Sequence, residues 1–177
     1  QFGARYSAEN FTIEEMKTWV DYCHLYGVDV HVTVNTLVKE KEIESLKEYL
    51  KQLNKIGVDA LIVQDIGAAE IIKKTVPDMT LHASTQMTVT SLEGVKYLED
   101  MGFSRVVLAR ELSEKEIEHI CKNAKAEIEV FVHGAICMCY SGQCLMSSIL
   151  GGRSGNRGRC AQPCRLKTAK RLKADMF

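Results

Sequence analysis

Three times in this chain a helix-forming stretch runs into a glycine followed by an apolar entry: Tyr26-Gly27-Val28-Asp29, Ile56-Gly57-Val58-Asp59 and Met101-Gly102-Phe103-Ser104. A glycine there supplies the left-handed cap that stops a helix, and the residues after it read as the start of a strand. The joint therefore sets a recurring order of helix then strand. Helix starts are marked as clearly. Thr12-Ile13-Glu14-Glu15, Thr90-Ser91-Leu92-Glu93 and Ser113-Glu114-Lys115-Glu116 each place a hydroxyl at the cap and a glutamate three residues on, the pattern of a capping box. Short β-branched runs predict strands at Val28 to Asn35, Ala60 to Asp65, Thr80 to Gln86, Arg105 to Arg110 and Ile128 to His133. Strands separated by single helices pair in parallel, and a run such as Ala60-Leu61-Ile62-Val63 suits a sheet covered by helices. The expected fold is α/β: a (β/α) barrel or a doubly wound sheet. No Gly-x-Gly-x-x-Gly follows any strand, which disfavours the dinucleotide-binding version. Five strands cannot close an eight-stranded barrel, so residues 1–136 are expected to form an incomplete TIM-barrel-like domain.

In a barrel the chemistry sits at the C-terminal strand ends. Those ends are polar here: Asn35, Gln64 and Asp65, Ser84 to Gln86, Arg110 and Glu111, and His133. Strand-to-helix loops are polar in most proteins, so it is the recurrence at five ends that points to a shared functional face.

Charge separates the chain into two parts. The whole is neutral, with 23 basic and 23 acidic residues. From Gly151 to Phe177, however, eight Lys and Arg face Asp175 alone, a net +7 that leaves −7 on the remainder. A basic end on an acidic body suggests a polyanionic partner such as RNA, although a solvated tail at 167–177 reads the same way. No apolar run is long enough for a membrane helix. The start, Gln1-Phe2-Gly3-Ala4-Arg5, has neither an initiator Met nor the apolar core of a signal peptide, so it is expected to be the interior of a longer, cytoplasmic chain.

Five of the seven cysteines, Cys137, Cys139, Cys144, Cys160 and Cys164, crowd into residues 137–166 together with Gly151-Gly152-Arg153-Ser154-Gly155-Asn156-Arg157-Gly158-Arg159. In a reducing compartment clustered thiols point to metal. The paired Cys-x-x-Cys knuckles of structural zinc are absent, which tilts the reading toward an iron–sulfur cluster while spacing alone permits either. The glycines and Arg153, Arg157 and Arg159 would let backbone N–H groups and guanidinium forks approach phosphate oxygens.

The stretch from Glu129-Val130-Phe131-Val132-His133-Gly134 through Tyr140-Ser141-Gly142-Gln143-Cys144 to Cys160-Ala161-Gln162-Pro163-Cys164-Arg165 resembles the collagenase-like peptidase family of unknown catalytic type, U32. The resemblance extends back through Val32-Thr33-Val34-Asn35-Thr36, His82-Ala83-Ser84-Thr85-Gln86 and Leu108-Ala109-Arg110-Glu111-Leu112-Ser113, and it fades beyond Leu166. It implies a TIM-barrel-like catalytic domain and two chemistries. One is the proteolysis that named the family. The other is oxygen-independent hydroxylation of tRNA or rRNA bases on a [4Fe-4S] cluster, with prephenate as a hydroxyl donor. By that resemblance Cys137, Cys144 and Cys160 match cluster-ligand positions and Cys164 is the candidate fourth, with Cys139 an extra thiol. Arg110 would then pair with a carboxylate such as that of prephenate, and His133 would move a proton or orient the substrate. Protease motifs such as His-Glu-x-x-His or a Gly-x-Ser-x-Gly elbow are absent, which ranks proteolysis second. A third reading is a non-catalytic, cluster-bearing subunit, a homo- or hetero-oligomer partner of another enzyme.

Overall fold

A computed structural model describes Phe2, Gly3 and residues 10–134, 137–140 and 142–166; the expected basic tail at 167–177 lies outside the described residues. Helix α1 (Ile13–Leu25) leads into β1 (His31–Val34), and the chain continues through α2 (Ile43–Ile56), β2 (Ala60–Val63), α3 (Ile66–Thr75), β3 (Thr80–Ala83), α4 (Leu92–Asp100), β4 (Phe103–Val107), α5 (Glu114–Asn123) and β5 (Glu127–Glu129). A short helix, α6 (Met146–Gly151), lies in the cysteine segment. No helix among the described residues is long and apolar enough to cross a membrane.

The predicted punctuation explains most of these boundaries. Gly27, Gly57 and Gly102 take φ of 67°, 82° and 84°, the left-handed conformation that costs a residue with a Cβ and costs glycine little. At the start of α1 the Glu15 N–H donates to Thr12 Oγ1 at 3.2 Å while the Glu15 carboxylate accepts from the Thr12 N–H at 2.8 Å. Ahead of α5 the Ser113 N–H and hydroxyl both donate to the Glu116 carboxylate, at 2.7 and 2.6 Å. The box expected on Thr90 moves by one residue. Ser91 is the cap, and its hydroxyl accepts from the Gly94 N–H at 3.2 Å. Glu93 then falls in the second helical position, one short of where a side chain reaches back to the cap.

The five strands are parallel and lie in the order β1-β2-β3-β4-β5 in one open sheet. That order has no reversal, and this removes the doubly wound alternative, whose strands turn back at a switch point. The faces of the sheet agree. Val34, Leu61, Val63, Leu81, Ala83, Phe103 and Val106 pack with Val20, Leu46, Leu50, Leu53, Ile72, Val95, Leu98 and Ile120 of α1 to α5 in a single core. All five helices therefore cover one face. The opposite face carries the alternate residues, and the register aligns Thr33, Ile62, His82, Arg105 and Glu127 across it. Between Leu81 and His82 the ladder slips so that Ser104 is skipped, which keeps Arg105 on the polar side.

The strands are shorter than their apolar runs. The largest difference is β5, which ends at Glu129 where Ile128 to His133 was expected. The cause is pairing. β5 is an edge with a neighbour only in β4, the Leu108 N–H to Glu129 carbonyl bond at 2.9 Å closes that ladder, and Phe131 and Val132 beyond it are exposed.

Candidate active site at the strand ends

The loops after the strands begin with residues that shape them. Asp65 caps α3, accepting from the Ala68 N–H at 3.1 Å, and its second oxygen accepts from the Val38 N–H at 2.9 Å, which fastens the β1–α2 loop. Ser84 Oγ accepts from the Gln86 N–H at 3.3 Å, and Thr85 Oγ1 donates to the Leu108 carbonyl at 3.1 Å. Three of the polar strand-end positions, Asp65, Ser84 and Thr85, thus serve loop backbones.

Beyond these loops, on the face that no helix covers, lies a cleft of about 370 Å³. Asn35, Ser84, Thr85 and Gln86 supply its polar wall, and Phe131 and Cys137 line it from the segment after β5. It falls in the size range of small-ligand sites. Gly142 closes one side with φ of 78°, and a Cβ there would lie 3.1 Å from Gln64 Oε1 and 3.3 Å from the Gln86 carbonyl. Gly142→Ala should therefore destabilise the fold by about 1–3 kcal/mol, combining left-handed strain with that crowding. Urea unfolding of the two proteins checks it, and equal midpoints would show that the loop is not seated there.

Below the cleft the same face is charged. Arg105 Nε and Nη2 lie 2.8 and 2.5 Å from Glu127 Oε2, and Nη1 is 3.6 Å from Glu129, itself a lining residue. The hydrogen bond from Arg105 holds the Glu127 carboxyl below its ordinary range. His82 is buried on β3 with its ring edge-on to His31 at 4.7 Å. Burial, aided by the nearby Arg105 and His31 charges, pushes its pKa down to about 4.

Of the residues singled out in the sequence, the strand-end residues Asn35 and Ser84 to Gln86 line the cleft, and Cys137 is the one thiol that does. Cys144 and Cys160 are brought near each other around Gly155. A Cβ on Gly155 would be 3.6 Å from the Cys144 carbonyl and 3.9 Å from Cys160 Sγ, and the Ala161 N–H donates to Ser147 Oγ at 2.9 Å. Each of these sulfurs accepts a backbone N–H from two residues on, Met146 to Cys144 at 3.4 Å and Gln162 to Cys160 at 3.3 Å. Cys164 sits exposed on the next turn, Pro163–Arg165, and Cys139 is half-buried. All seven cysteines are unbridged. As a test of fit to a cluster, the donor chemistry agrees at Cys144 and Cys160, where N–H groups already face sulfur as they do around iron–sulfur ligands. Among the described residues no three Cys, His, Asp or Glu side chains converge on one point.

His133 is exposed and Arg110 half-buried, and neither lines the cleft. Arg153 and Arg159 are exposed. Arg157 turns inward to Glu42. Sequence reasoning missed Arg105, Glu127, His31 and Phe131. A signal existed for the first two, since Arg105 and the Glu127-Ile128-Glu129 alternation break otherwise apolar strand patterns. Phe131 carried none, because it had been assigned to a strand.

The sequence and the one-sided α/β sheet are matched by known proteins. Residues 1–174 match the model of Peptidase family U32, and the chain belongs to that family. It is 45% identical over 165 residues to a 23S rRNA 5-hydroxycytidine C2501 synthase of Escherichia coli, covering 93% of this chain and 25% of the relative. To tRNA hydroxylation protein P1 of Bacillus subtilis it is 38% identical, covering 93% of this chain and 39% of that one. A solved U32 peptidase superposes with a TM-score of 0.62 at 22% identity, over 77% of this chain and 58% of the other, and shows the same fold. The chain thus spans well under half the length of either curated relative.

Proposed function

We propose that this chain is part of an iron–sulfur-dependent, oxygen-independent RNA base hydroxylase, in which the open sheet is an arc of a (β/α) barrel and the cleft receives the base. The observation that carries the reading is the placement of the cleft: it opens at the C-terminal strand ends with Cys137 in its wall, and the chain runs from the lining Gly142 directly into the segment that holds Cys144. The names of two relatives supply the substrate class, one an rRNA cytidine hydroxylation enzyme and the other a tRNA hydroxylation protein.

A base inside a duplex cannot reach such a cleft, so the substrate would be a single-stranded or extruded nucleotide. Phe131 offers an aromatic face for stacking, while the amides of Asn35 and Gln86 and the hydroxyl of Ser84 offer donors and acceptors to a base edge. Exposed Arg153 and Arg159 would meet backbone phosphates. Cys137, Cys144 and Cys160 are the thiols that would hold the cluster, with Cys164 as fourth. When bound, the cluster supplies an iron centre able to take electrons or polarise an oxygen. Replacing a base C–H by C–OH removes two electrons from the base; a hydroxylated carboxylate co-substrate of the prephenate class would balance this by giving up its hydroxyl and taking the two electrons and the displaced hydrogen, R–OH plus base–H giving R–H plus base–OH. Arg110, in the loop after β4, would bind that carboxylate, and His133 would carry a proton at the outer rim.

Proteolysis ranks second. Among the described residues no histidine side chain hydrogen-bonds a serine or cysteine, the pairing that would activate a nucleophile. The deciding experiment is mass spectrometry of nucleosides from the RNA of cells with and without the gene for the full-length protein. Loss of one hydroxylated pyrimidine on deletion, restored by the wild-type gene, is the expected result. An unchanged nucleoside profile, together with peptide cleavage by the purified protein, would replace this reading by the protease.

A further inference from the structure

Arg157 lies within the basic, glycine-rich segment, yet its guanidinium does not face outward. Nη1 donates to the Leu37 carbonyl at 3.1 Å and to Glu42 Oε2 at 3.1 Å, and Nη2 donates to Glu42 Oε1 at 2.6 Å. This is a two-pronged arginine–carboxylate pair, the geometry that fixes orientation as well as attraction. Its acceptor is itself held. Glu42 Oε2 also accepts from the Lys39 N–H at 2.8 Å, so the carboxylate is oriented at the start of α2 before the arginine reaches it. Both side chains are mostly screened from water, at 30% and 25% exposure. A phosphate taking this guanidinium would have to displace a fixed carboxylate and then sit beside its negative charge.

The pair joins two regions 115 residues apart in sequence. Arg157 ends the single turn Gly155–Arg157. Gly155, two residues before it, lies against Cys160 and the Cys144 carbonyl. After it, the Arg159 N–H returns to the Ser154 carbonyl at 3.0 Å, and Cys160 follows directly. Moving Arg157 would therefore move the turn against which Cys160 and the Cys144 backbone pack.

We propose that Arg157 is a positioning residue: its clamp on Glu42 and Leu37 seats the 155–160 turn against which Cys144 and Cys160 pack, and contact with RNA phosphate is left to Arg153 and Arg159. The second half rests on the RNA reading above, whereas the first stands without it.

The test uses the full-length protein as isolated, with two measurements on each variant: peptide-resolved rates of iodoacetamide labelling at Cys144 and Cys160, and affinity for a single-stranded RNA oligonucleotide across a salt series. Arg157→Ala is expected to raise labelling several-fold at the half-buried Cys144, with the already exposed Cys160 as the internal reference, and to leave the salt slope unchanged. The swapped pair Glu42→Arg with Arg157→Glu should return labelling toward the wild-type rate, which a general loss of folding would not allow. Arg153→Ala with Arg159→Ala should reduce the salt slope by about 1.4, at about 0.7 per phosphate contact on a single strand, with labelling unchanged. A fall of about 0.7 in slope for Arg157→Ala, with wild-type labelling, would make it a phosphate ligand and overturn the proposal. If the wild type binds no RNA, the RNA reading and the phosphate half fail together, and the labelling rates alone decide the clamp.

Discussion

Cells whose only full-length copy carries Cys144→Ala should contain none of the hydroxylated nucleoside that the wild-type gene supports, and the purified variant should hold little iron. Cys144 is central to the thiol arrangement. Its carbonyl lies beside Gly155, the same glycine that faces Cys160, and its sulfur already accepts the Met146 N–H. On the proposed function, removing that sulfur would take one ligand from a cluster that needs four, and an alanine methyl offers nothing in exchange. The comparison is Cys121→Ala. Cys121 is an exposed residue of α5, remote in sequence from the segment at 137–166. Its loss should leave both iron and the nucleoside at wild-type levels. Iron and sulfide measured after anaerobic purification, and nucleosides measured from the same cells, give the two readouts. Full iron content in Cys144→Ala would remove this residue from the ligand set, and an intact nucleoside would sink the link between the thiols and the reaction.

The fold was legible because its signals are local. A glycine after a helix and a hydroxyl before one act within a turn, so the joints at Gly27, Gly57 and Gly102 and the caps at Thr12 and Ser113 could be read from neighbours. The Thr90 box misplaced its cap because Ser91 offers the same chemistry one residue later, and only packing of Val95 and Leu98 into the core decides the register. Burial on one face was less legible. Runs such as Ala60 to Val63 look apolar throughout, and nothing local says that Ile62 faces a half-open polar surface while Leu61 and Val63 are sealed. The candidate site was hardest, since it depends on where distant segments settle. Arg153, Arg157 and Arg159 are equivalent as letters. Glu42, more than a hundred residues earlier, separates Arg157 from the other two. His133 failed to reach the cleft for a related reason: the strand meant to carry it ends at Glu129, once β4 has no further partner to offer.

Stability should fall as the pH drops from about 6.5 toward 4, and His82 should account for the loss. The ring is buried on the uncovered face of β3, at 5% exposure. The groups facing it are His31 at 4.7 Å, Arg105 in register on β4, and Glu127 beyond Arg105. Burial is the first cause of its lowered pKa, followed by the Arg105 and His31 charges, with Glu127 opposing weakly. The sign follows from which state holds the proton. An unfolded histidine protonates near 6.5 and the folded one near 4, so between those values the unfolded chain binds more protons and acid favours it. The full interval amounts to at most about 3.5 kcal/mol, at about 1.4 kcal/mol per pH unit. Carboxylates with lowered values, Glu127 among them, add their own loss only where carboxyl groups protonate, below about pH 4.5. The range from pH 5 to 6.5 therefore isolates the histidine. Urea unfolding across that range should show the wild type losing stability toward acid and His82→Gln, which cannot take up the proton, holding level. Parallel profiles for the two proteins would mean that the His82 ring is reached by water in the folded state, and that this face of the sheet is more open at its base than at the cleft.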